Sequence, residues 1–272
     1  MNRPRNPAQE QLLGSDVERL PEQPDVQPTV EQATSVYKPT LSREQVDRIR
    51  AWHDRAYAEA LAEGAVSRTF DYLGTSIVVP PEVMPITPMS HLLGEAVLRE
   101  VTSSDRVLDM GTGSGVNAVL AASQGAQVVA VDISARSLEA ARSNAAGNGV
   151  ADLVEVKWSD VFSDVEGTFD LIVFDPPFRW FKPRTVTESV MCEEGYGALT
   201  RFFRQAHHHL KPGGRMLIFF GTSGDLGYLQ QLMVQEGFAW SQIARDDLER
   251  EDHEVEYFTF LVTENRDRSR QT

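Results

Sequence analysis

Two short stretches of this 272-residue chain carry residue types that could do chemistry together. The first is Asp175-Pro176-Pro177-Phe178, which follows the apolar run Phe169–Phe174. Two consecutive prolines fix φ and remove two N–H donors, so the backbone there offers only carbonyl acceptors. Asp175 adds a carboxylate acceptor, and Phe178 adds a flat apolar face. A pocket with acceptors alone and a stacking wall suits a planar or amine nitrogen that still carries hydrogens. Holding those hydrogens aims the nitrogen lone pair at an electrophile. The second stretch is Asp109-Met110-Gly111-Thr112-Gly113-Ser114-Gly115. Glycine at alternating positions permits positive φ and close approach of the backbone to a ligand. The helix that follows offers free N–H groups at its N-terminus. A nucleotide-like ligand fits such a turn.

Other candidates follow predicted strand ends. Asp132, in Val131-Asp132-Ile133-Ser134, stands where an acid accepts hydrogen bonds from ribose hydroxyls in dinucleotide folds. Capping of the next helix by Asp132 or Ser134 is the plainer role. Asp160, in Ser159-Asp160-Val161-Phe162, can hold an adenine amino group with Val161 and Phe162 beside the ring, or simply satisfy a turn. Directly after the proline corner, Arg179-Trp180-Phe181-Lys182-Pro183-Arg184 interleaves basic and aromatic residues. Three readings fit it: stacking and backbone contacts to a nucleic acid, a clamp by Arg179 or Arg184 on the carboxylate of a small substrate, or a surface loop anchored by Trp180 and Phe181. His207-His208-His209 lies near a helix end, where consecutive residues point around the axis and cannot converge on one ion. No metal is expected.

These residues need a scaffold, and the pattern supplies one. Strands at Arg106–Met110, Gln127–Val131, Leu153–Lys157, Phe169–Phe174 and Arg215–Phe220 alternate with helices at Gly115–Gln124, Ser134–Asn148, about Gly197–Leu210 and roughly Gly224–Glu236. The segments Ala239–Ile243 and Glu256–Thr263 close the sheet. Alternation of this kind predicts a doubly wound, Rossmann-like, seven-stranded and mostly parallel sheet with helices on both faces. In such sheets ligands bind beyond the carboxyl ends of strands where the strand order reverses. The two special corners follow the first and fourth strands, so they should face each other across one crevice.

Upstream, residues 1–40 are rich in Pro, Gln and Glu and read as a disordered tail, with local packing open to Val30–Tyr37. Residues 41–90 read as an N-terminal helical cap and extended segment. A helix begins at Ser42, where Ser42 and Gln45 form a capping-box pattern, and stops near Gly64. It either packs on the core or covers the site with Trp52, His53 or Tyr57. Residues 69–90 read as short extended pieces broken by Pro80, Pro81, Pro85 and Pro88. A helix from about Ser90 to Val101 leads into the main domain, residues 91–265.

Composition narrows the function classes. Hydrophobic residues make up 41%, ordinary for a chain that buries a core. No apolar run is long enough to span a bilayer, and no signal-type segment suggests export. The single cysteine, Cys192, excludes an intrachain disulfide and a thiolate cluster. A cytoplasmic location is the plain expectation. The formal charge of −14 disfavours nucleic acid and favours a small-molecule or protein substrate. Oligomeric state is unreadable.

The motifs Leu108–Gly115, Val131-Asp132, Ser159–Phe162 and Asp175–Phe178 resemble those of the class I S-adenosylmethionine methyltransferases. Within them they are similar to the methyltransferase small domain group, which includes release-factor glutamine methyltransferases and ribosomal RNA guanine methyltransferases. The resemblance runs from about residue 85 to 263. It implies a cofactor site at Asp109, Gly111, Thr112, Gly113, Gly115, Asp132, Ile133, Asp160, Val161 and Asp175. It also implies catalytic roles for Asp175, Pro176, Pro177 and Phe178, and substrate contacts at Phe178, Arg179 and Trp180. The release-factor enzymes carry Asn and Tyr at the ends of the motif, where this chain has Asp175 and Phe178. A carboxylate suits an amine, guanidine or aminoaromatic nitrogen better than a neutral amide. N-methylation of a small molecule or protein side chain is therefore expected. A nucleic-acid base remains the alternative acceptor. A nicotinamide-dependent dehydrogenase and a non-catalytic binding protein are the competing classes. The first fits Gly113–Ala118 as G-x-G-x-x-A but leaves the proline corner without a role.

Overall fold

The computed structural model describes residues 37–62, 66–250 and 253–265. The tail expected at 1–40 therefore lies outside the described residues up to position 36, as does Gly64. Residues 37–40, assigned to that tail, are instead tied down. Tyr37 Oη donates to Asp225 Oδ2 at 2.8 Å, and Thr40 N donates to the same oxygen at 2.7 Å. Helix α1 (Arg43–Ala62) starts with the predicted capping box. Ser42 N donates to Gln45 Oε1 at 2.9 Å, and Gln45 N donates to Ser42 Oγ at 3.3 Å.

The proline-broken segment holds a hairpin that the sequence reading missed. Strands β1 (Arg68–Tyr72) and β2 (Thr75–Val79) pair antiparallel as a separate two-stranded sheet. Their turn puts Leu73 and Gly74 at φ 47° and 84°, the tight geometry that suits twisted hairpins. Leucine is a poor indicator of that geometry, so composition hid it. The hairpin docks through side-chain amides: Asn144 accepts from Val78 N at 2.9 Å and donates to Val78 O at 2.8 Å. Asn144 Nδ2 also donates to Ser114 O at 2.8 Å, joining the hairpin to the glycine turn.

Helix α2 (His91–Glu100) precedes strand β3 (Arg106–Met110), α3 (Val116–Ser123), β4 (Gln127–Asp132), α4 (Ala135–Gly147), β5 (Val154–Trp158) and β6 (Phe169–Phe174). A short α5 (Val186–Ser189) leads to α6 (Gly197–Ala206), β7 (Leu210–Gly221), α7 (Leu226–Gln235), β8 (Phe238–Arg250) and β9 (His253–Glu264). The strand order is β5-β4-β3-β6-β7-β9-β8, with β9 antiparallel to both neighbours and the other pairs parallel. The chain thus has the doubly wound seven-stranded sheet expected. Phe202, Phe203, Leu229 and Met233 of α6 and α7 fill one face, and Leu92, Ala96, Leu120 and Ala121 of α2 and α3 fill the other.

Two boundaries differ from expectation. Helix α6 stops at Ala206 rather than near Leu210, and β7 starts at Leu210 rather than at Arg215, taking in Lys211–Gly214. A register shift between Phe169 and Leu171 lets β7 absorb those residues as an irregularity rather than a break. The terminal hairpin is also longer. Its rungs run from Phe238–Glu264 to Arg250–His253, whereas β7 stops pairing with β9 at Gly221–Tyr257. The far end of the hairpin therefore projects past the carboxyl edge of β7. Among the described residues, no helix is long and apolar enough to cross a membrane.

Gly115 opens α3 at φ 80°, and a Cβ there would sit 2.7 Å from Ala141 Cα on α4. Substituting Gly115→Ala combines left-handed strain with overpacking, for an expected loss of about 2–5 kcal/mol. Gly149→Ala meets open space at φ 72° and should cost only about 1 kcal/mol. Urea denaturation of both variants checks the contrast; equal losses would mean that the α3–α4 contact is not tight.

Candidate functional site

Register brings the two corners together. Met110 and Phe174 are paired residues of β3 and β6, so Gly111 and Asp175 are the next residues along adjacent strands. A Cβ on Gly111 would lie 3.6 Å from the Phe174 ring. The strand order reverses between these two strands, the place where open α/β sheets bind ligands. Gly111, Gly113 and Gly115 have φ of 65°, 54° and 80°. The nearest atom to a Cβ on Gly113 would be Val83 Cγ1 at 3.9 Å, so the segment after β2 walls the turn without filling it.

Not every candidate faces the crevice. Asp109 and Thr112 are 2% and 4% exposed. Asp109 Oδ2 accepts from Thr112 Oγ1 at 2.5 Å and from Ala118 N at 3.1 Å, so both side chains fasten the turn from inside. Asp132 is half-buried at the end of β4. Its Oδ2 accepts from Gly113 N at 3.0 Å and its Oδ1 from Ser134 N at 2.9 Å, while Ser134 Oγ caps α4. A carboxylate has room for further donors beyond these two. Beside it, Ile133 and Trp158 are 63% and 51% exposed, and Trp158 Nε1 donates to Ile133 O at 3.1 Å. Trp158 was not among the sequence candidates; the signal was a large aromatic at a strand's carboxyl end. Asp160 takes Arg201 Nη2 at 2.6 Å. Phe162, expected beside an adenine ring, instead stacks on Phe202 and His209 with centroids 5.4 and 4.2 Å away. The apolar demand of the core captured it. His207 likewise packs on Phe238 and bonds Glu264 and the Glu236 carbonyl.

The electrostatics are one-sided. Burial pushes the Asp109 carboxyl up to about 7, against the bonds from Thr112 and Ala118 and with the Asp132 charge adding to the rise. Burial also raises Asp132. Asp175 reaches solvent but stands in a cleft walled by protein; loss of hydration, then the Asp109 charge, push it up to about 7. None of the three is in an ion pair among the described residues. Carboxylates gathered without a cation favour a positively charged ligand between them.

Past Asp175 the chain is held tightly. Pro176 is buried and Pro177 half-buried, and the half-buried Phe178 ring packs among Phe219, Phe220 and Tyr257. The Phe178 carbonyl accepts from Tyr196 Oη at 2.5 Å. A Cβ on Gly224 would lie 2.1 Å from that carbonyl, so only glycine lets β7's end approach the corner. Trp180 stands against Tyr37, Phe181 and Tyr196.

Helix α1 is clamped over the loop that follows. His53 Nε2 meets Glu188 Oε1 at 2.7 Å, Tyr57 Oη meets Thr185 Oγ1 at 2.8 Å, and Arg184 Nη2 bonds Asp54 at 3.0 Å and Glu188 at 2.6 Å. Burial works against the Glu188 charge, but the bonds from Arg184 and His53 hold its pKa down to about 2. His53, Glu188 and Cys192 offer ligand atoms within 4.8 Å of one another, yet Arg184 already occupies both oxygens of Glu188. Between α1 and the carboxyl ends of the sheet lies a cavity of about 410 Å³, lined by Gln45, Ile49, Trp52, Ser223, Gly224 and Val255 among others. Arg179 is 8% exposed and its Nη2 lies 3.4 Å from Ser223 Oγ.

Comparison with known proteins agrees with this geometry. The methyltransferase small domain family matches residues 87–246. The chain is 40% identical over 116 residues to ribosomal RNA small subunit methyltransferase C of Chromohalobacter salexigens, spanning 43% of this chain and 31% of that one. It is 32% identical over 193 residues to 4-amino-L-phenylalanine/4-methylamino-L-phenylalanine methyltransferase of Streptomyces pristinaespiralis, spanning 64% and 66% of the two. It thus covers less than two thirds of the length of these relatives. Among solved structures, Methanocaldococcus jannaschii Trm5 in complex with adenosine superimposes with a TM-score of 0.56 at 14% identity, over 75% of this chain and 56% of that one. The crevice at the β3–β6 reversal and the matched residues lead to one conclusion: the chain belongs to the methyltransferase small domain family and has the class I methyltransferase fold.

Proposed function

We propose that the protein transfers a methyl group from S-adenosylmethionine to the nitrogen of an amine or aminoaromatic group on a small molecule or protein side chain. The observation that carries this is the pairing of Met110 with Phe174, which sets the glycine turn and the Asp-Pro-Pro-Phe corner side by side. The residues present fit the cofactor. Gly111 and Gly113 leave backbone open to it, Asp132 retains acceptor capacity for ribose hydroxyls, and exposed Ile133 and Trp158 provide apolar surface for a purine. The unpaired Asp132 and Asp175 match its positive charge. When bound, S-adenosylmethionine supplies an electrophilic methyl on a sulfonium that is already a good leaving group.

What remains for the chain is positioning and exclusion of water. Asp175 and the proline-flanked carbonyls accept the hydrogens of the acceptor nitrogen, and the Phe178 ring supports its planar part. Asp175 then stabilises the positive charge that develops on nitrogen. The basic residues of the loop after the corner are engaged within the chain. Lys182 lies 3.7 Å from Glu194, Arg184 is held by Glu188 and Asp54, and Arg179 is buried. With a net charge of −14, this favours a small or proteinaceous acceptor over RNA. The similarity to an enzyme named for 4-amino-L-phenylalanine fits an aminoaromatic acceptor. Such a reaction suits the cytoplasm.

S-adenosylmethionine and S-adenosylhomocysteine differ by the methyl and its positive charge, so their affinity ratio reports the cleft carboxylates. Asp109 and Asp175 sit at about 7, so they become more anionic as pH rises through that value. Calorimetry at pH 6 and pH 8 should show the preference for the cation growing roughly tenfold; a flat ratio would contradict the electrostatic match.

Asp175→Ala should leave the S-adenosylhomocysteine affinity within about threefold while turnover on an accepted amine falls roughly 100-fold. In the wild type, kcat/KM should rise with pH through about 7 as Asp175 ionises, and Asp175→Asn should flatten that limb. Unchanged turnover in the alanine variant would remove Asp175 from its role.

A further inference from the structure

Arg179 presents a physical problem that the methyl-transfer reading does not solve. Its backbone is fixed directly after the proline corner: it bridges Cys192, and its carbonyl accepts from Glu193 N at 2.9 Å. Its side chain is 8% exposed. Among the described residues it has no carboxylate partner, its Nε has no hydrogen-bond partner, and its side-chain bond is the 3.4 Å contact from Nη2 to Ser223 Oγ. Arg184, in the same loop, by contrast pairs with both Asp54 and Glu188. A guanidinium taken out of water without a counter-charge is costly to bury unless a ligand completes it.

The surroundings say what that ligand is. Ser223 lines the 410 Å³ cavity beneath α1, and Gly224, next to it, touches the Phe178 carbonyl of the corner. Ser223 thus joins Arg179 to the wall of the cavity, and Gly224 joins that wall to the corner that carries Asp175 and Phe178. A planar guanidinium fork matches a carboxylate with two parallel bonds. The space is that of a small molecule. A net charge of −14 works against a polyanion.

We propose that Arg179, with Ser223, binds a carboxylate of the methyl acceptor, which makes the acceptor a small carboxylic acid that carries its reactive nitrogen at the other end. This rests on the methyl-transfer reading for the identity of the nitrogen site, but the carboxylate site itself does not. Arg179 fixes one end of the molecule while Asp175 and Phe178 hold the other, so the loop sets both orientation and selectivity by charge.

The test uses the full chain saturated with S-adenosylhomocysteine and three probes: 3-(4-aminophenyl)propanoate, its uncharged carboxamide, and phenyl phosphate. Affinities are measured by calorimetry, and the Arg179 Nε–H signal is followed by nitrogen-15 NMR. The acid should bind roughly 30-fold more tightly than the amide and shift the Arg179 signal. Arg179→Gln should erase the preference, Arg179→Lys should keep part of it, and Ser223→Ala should weaken acid binding a few-fold. The wild-type acid-to-amide ratio stands even if a variant does not fold. Equal affinity for acid and amide, no binding of the acid at about ten times a millimolar Kd, tighter binding of the phosphate, or an unshifted Arg179 signal would each overturn the proposal. Failure of S-adenosylhomocysteine to bind, with acid binding at Arg179 intact, would instead overturn the methyl-transfer reading alone.

Discussion

The cleft depends on the hydrogen-bonded pairing of β3 with β6. Parallel strands with no reversal between them would send their following segments to opposite faces or along one face in sequence. At the reversal, the segments leaving Met110 and Phe174 part company and leave a gap. The glycine turn fills one side of that gap with backbone, and the two prolines fill the other with carbonyls and no donors. Asp109, buried beneath, holds the turn open from inside through Thr112 and Ala118. Its cost is a carboxyl that burial pushes up to about 7. The Asp132 charge adds to the rise at Asp109, and the Asp109 charge to the rise at Asp175.

Around this centre the added segments form walls. The β1–β2 hairpin reaches the glycine turn through Asn144, whose amide satisfies a strand edge and the Ser114 carbonyl together. Helix α1 closes the other side, fastened by His53, Asp54 and Tyr57 to the loop that follows the proline corner. Asp225, fully buried, collects Tyr37, Thr40 and the N-terminus of α7. The segments outside the sheet therefore wall the cleft that the sheet opens.

How much of this the sequence revealed follows from the range of the forces involved. The strands β3, β4 and β6 and the capping box of α1 were legible because apolar runs and local hydrogen bonds decide them. The glycine turn and the proline corner were legible because glycine and proline restrict the backbone by themselves. The hairpin at Arg68–Val79 was hidden because its turn uses Leu73, and its docking depends on Asn144 far along the chain. Phe162 was read as a ligand contact when the core had claimed it, and Trp158 was overlooked although it stands open. The two readings of the Arg179–Arg184 clamp separate only through Glu188, which holds Arg184, whereas among the described residues no carboxylate holds Arg179. Such distinctions depend on long-range contacts that no local pattern encodes.

The most direct test of the account is a crystal structure of the protein grown with S-adenosylhomocysteine. The account predicts the thioether sulfur between the Gly111–Gly113 turn and Asp175, with ribose hydroxyls on Asp132 and the purine beside Ile133. Density for the ligand elsewhere on the molecule, or a cleft that stays closed to it at saturating concentration, would contradict it.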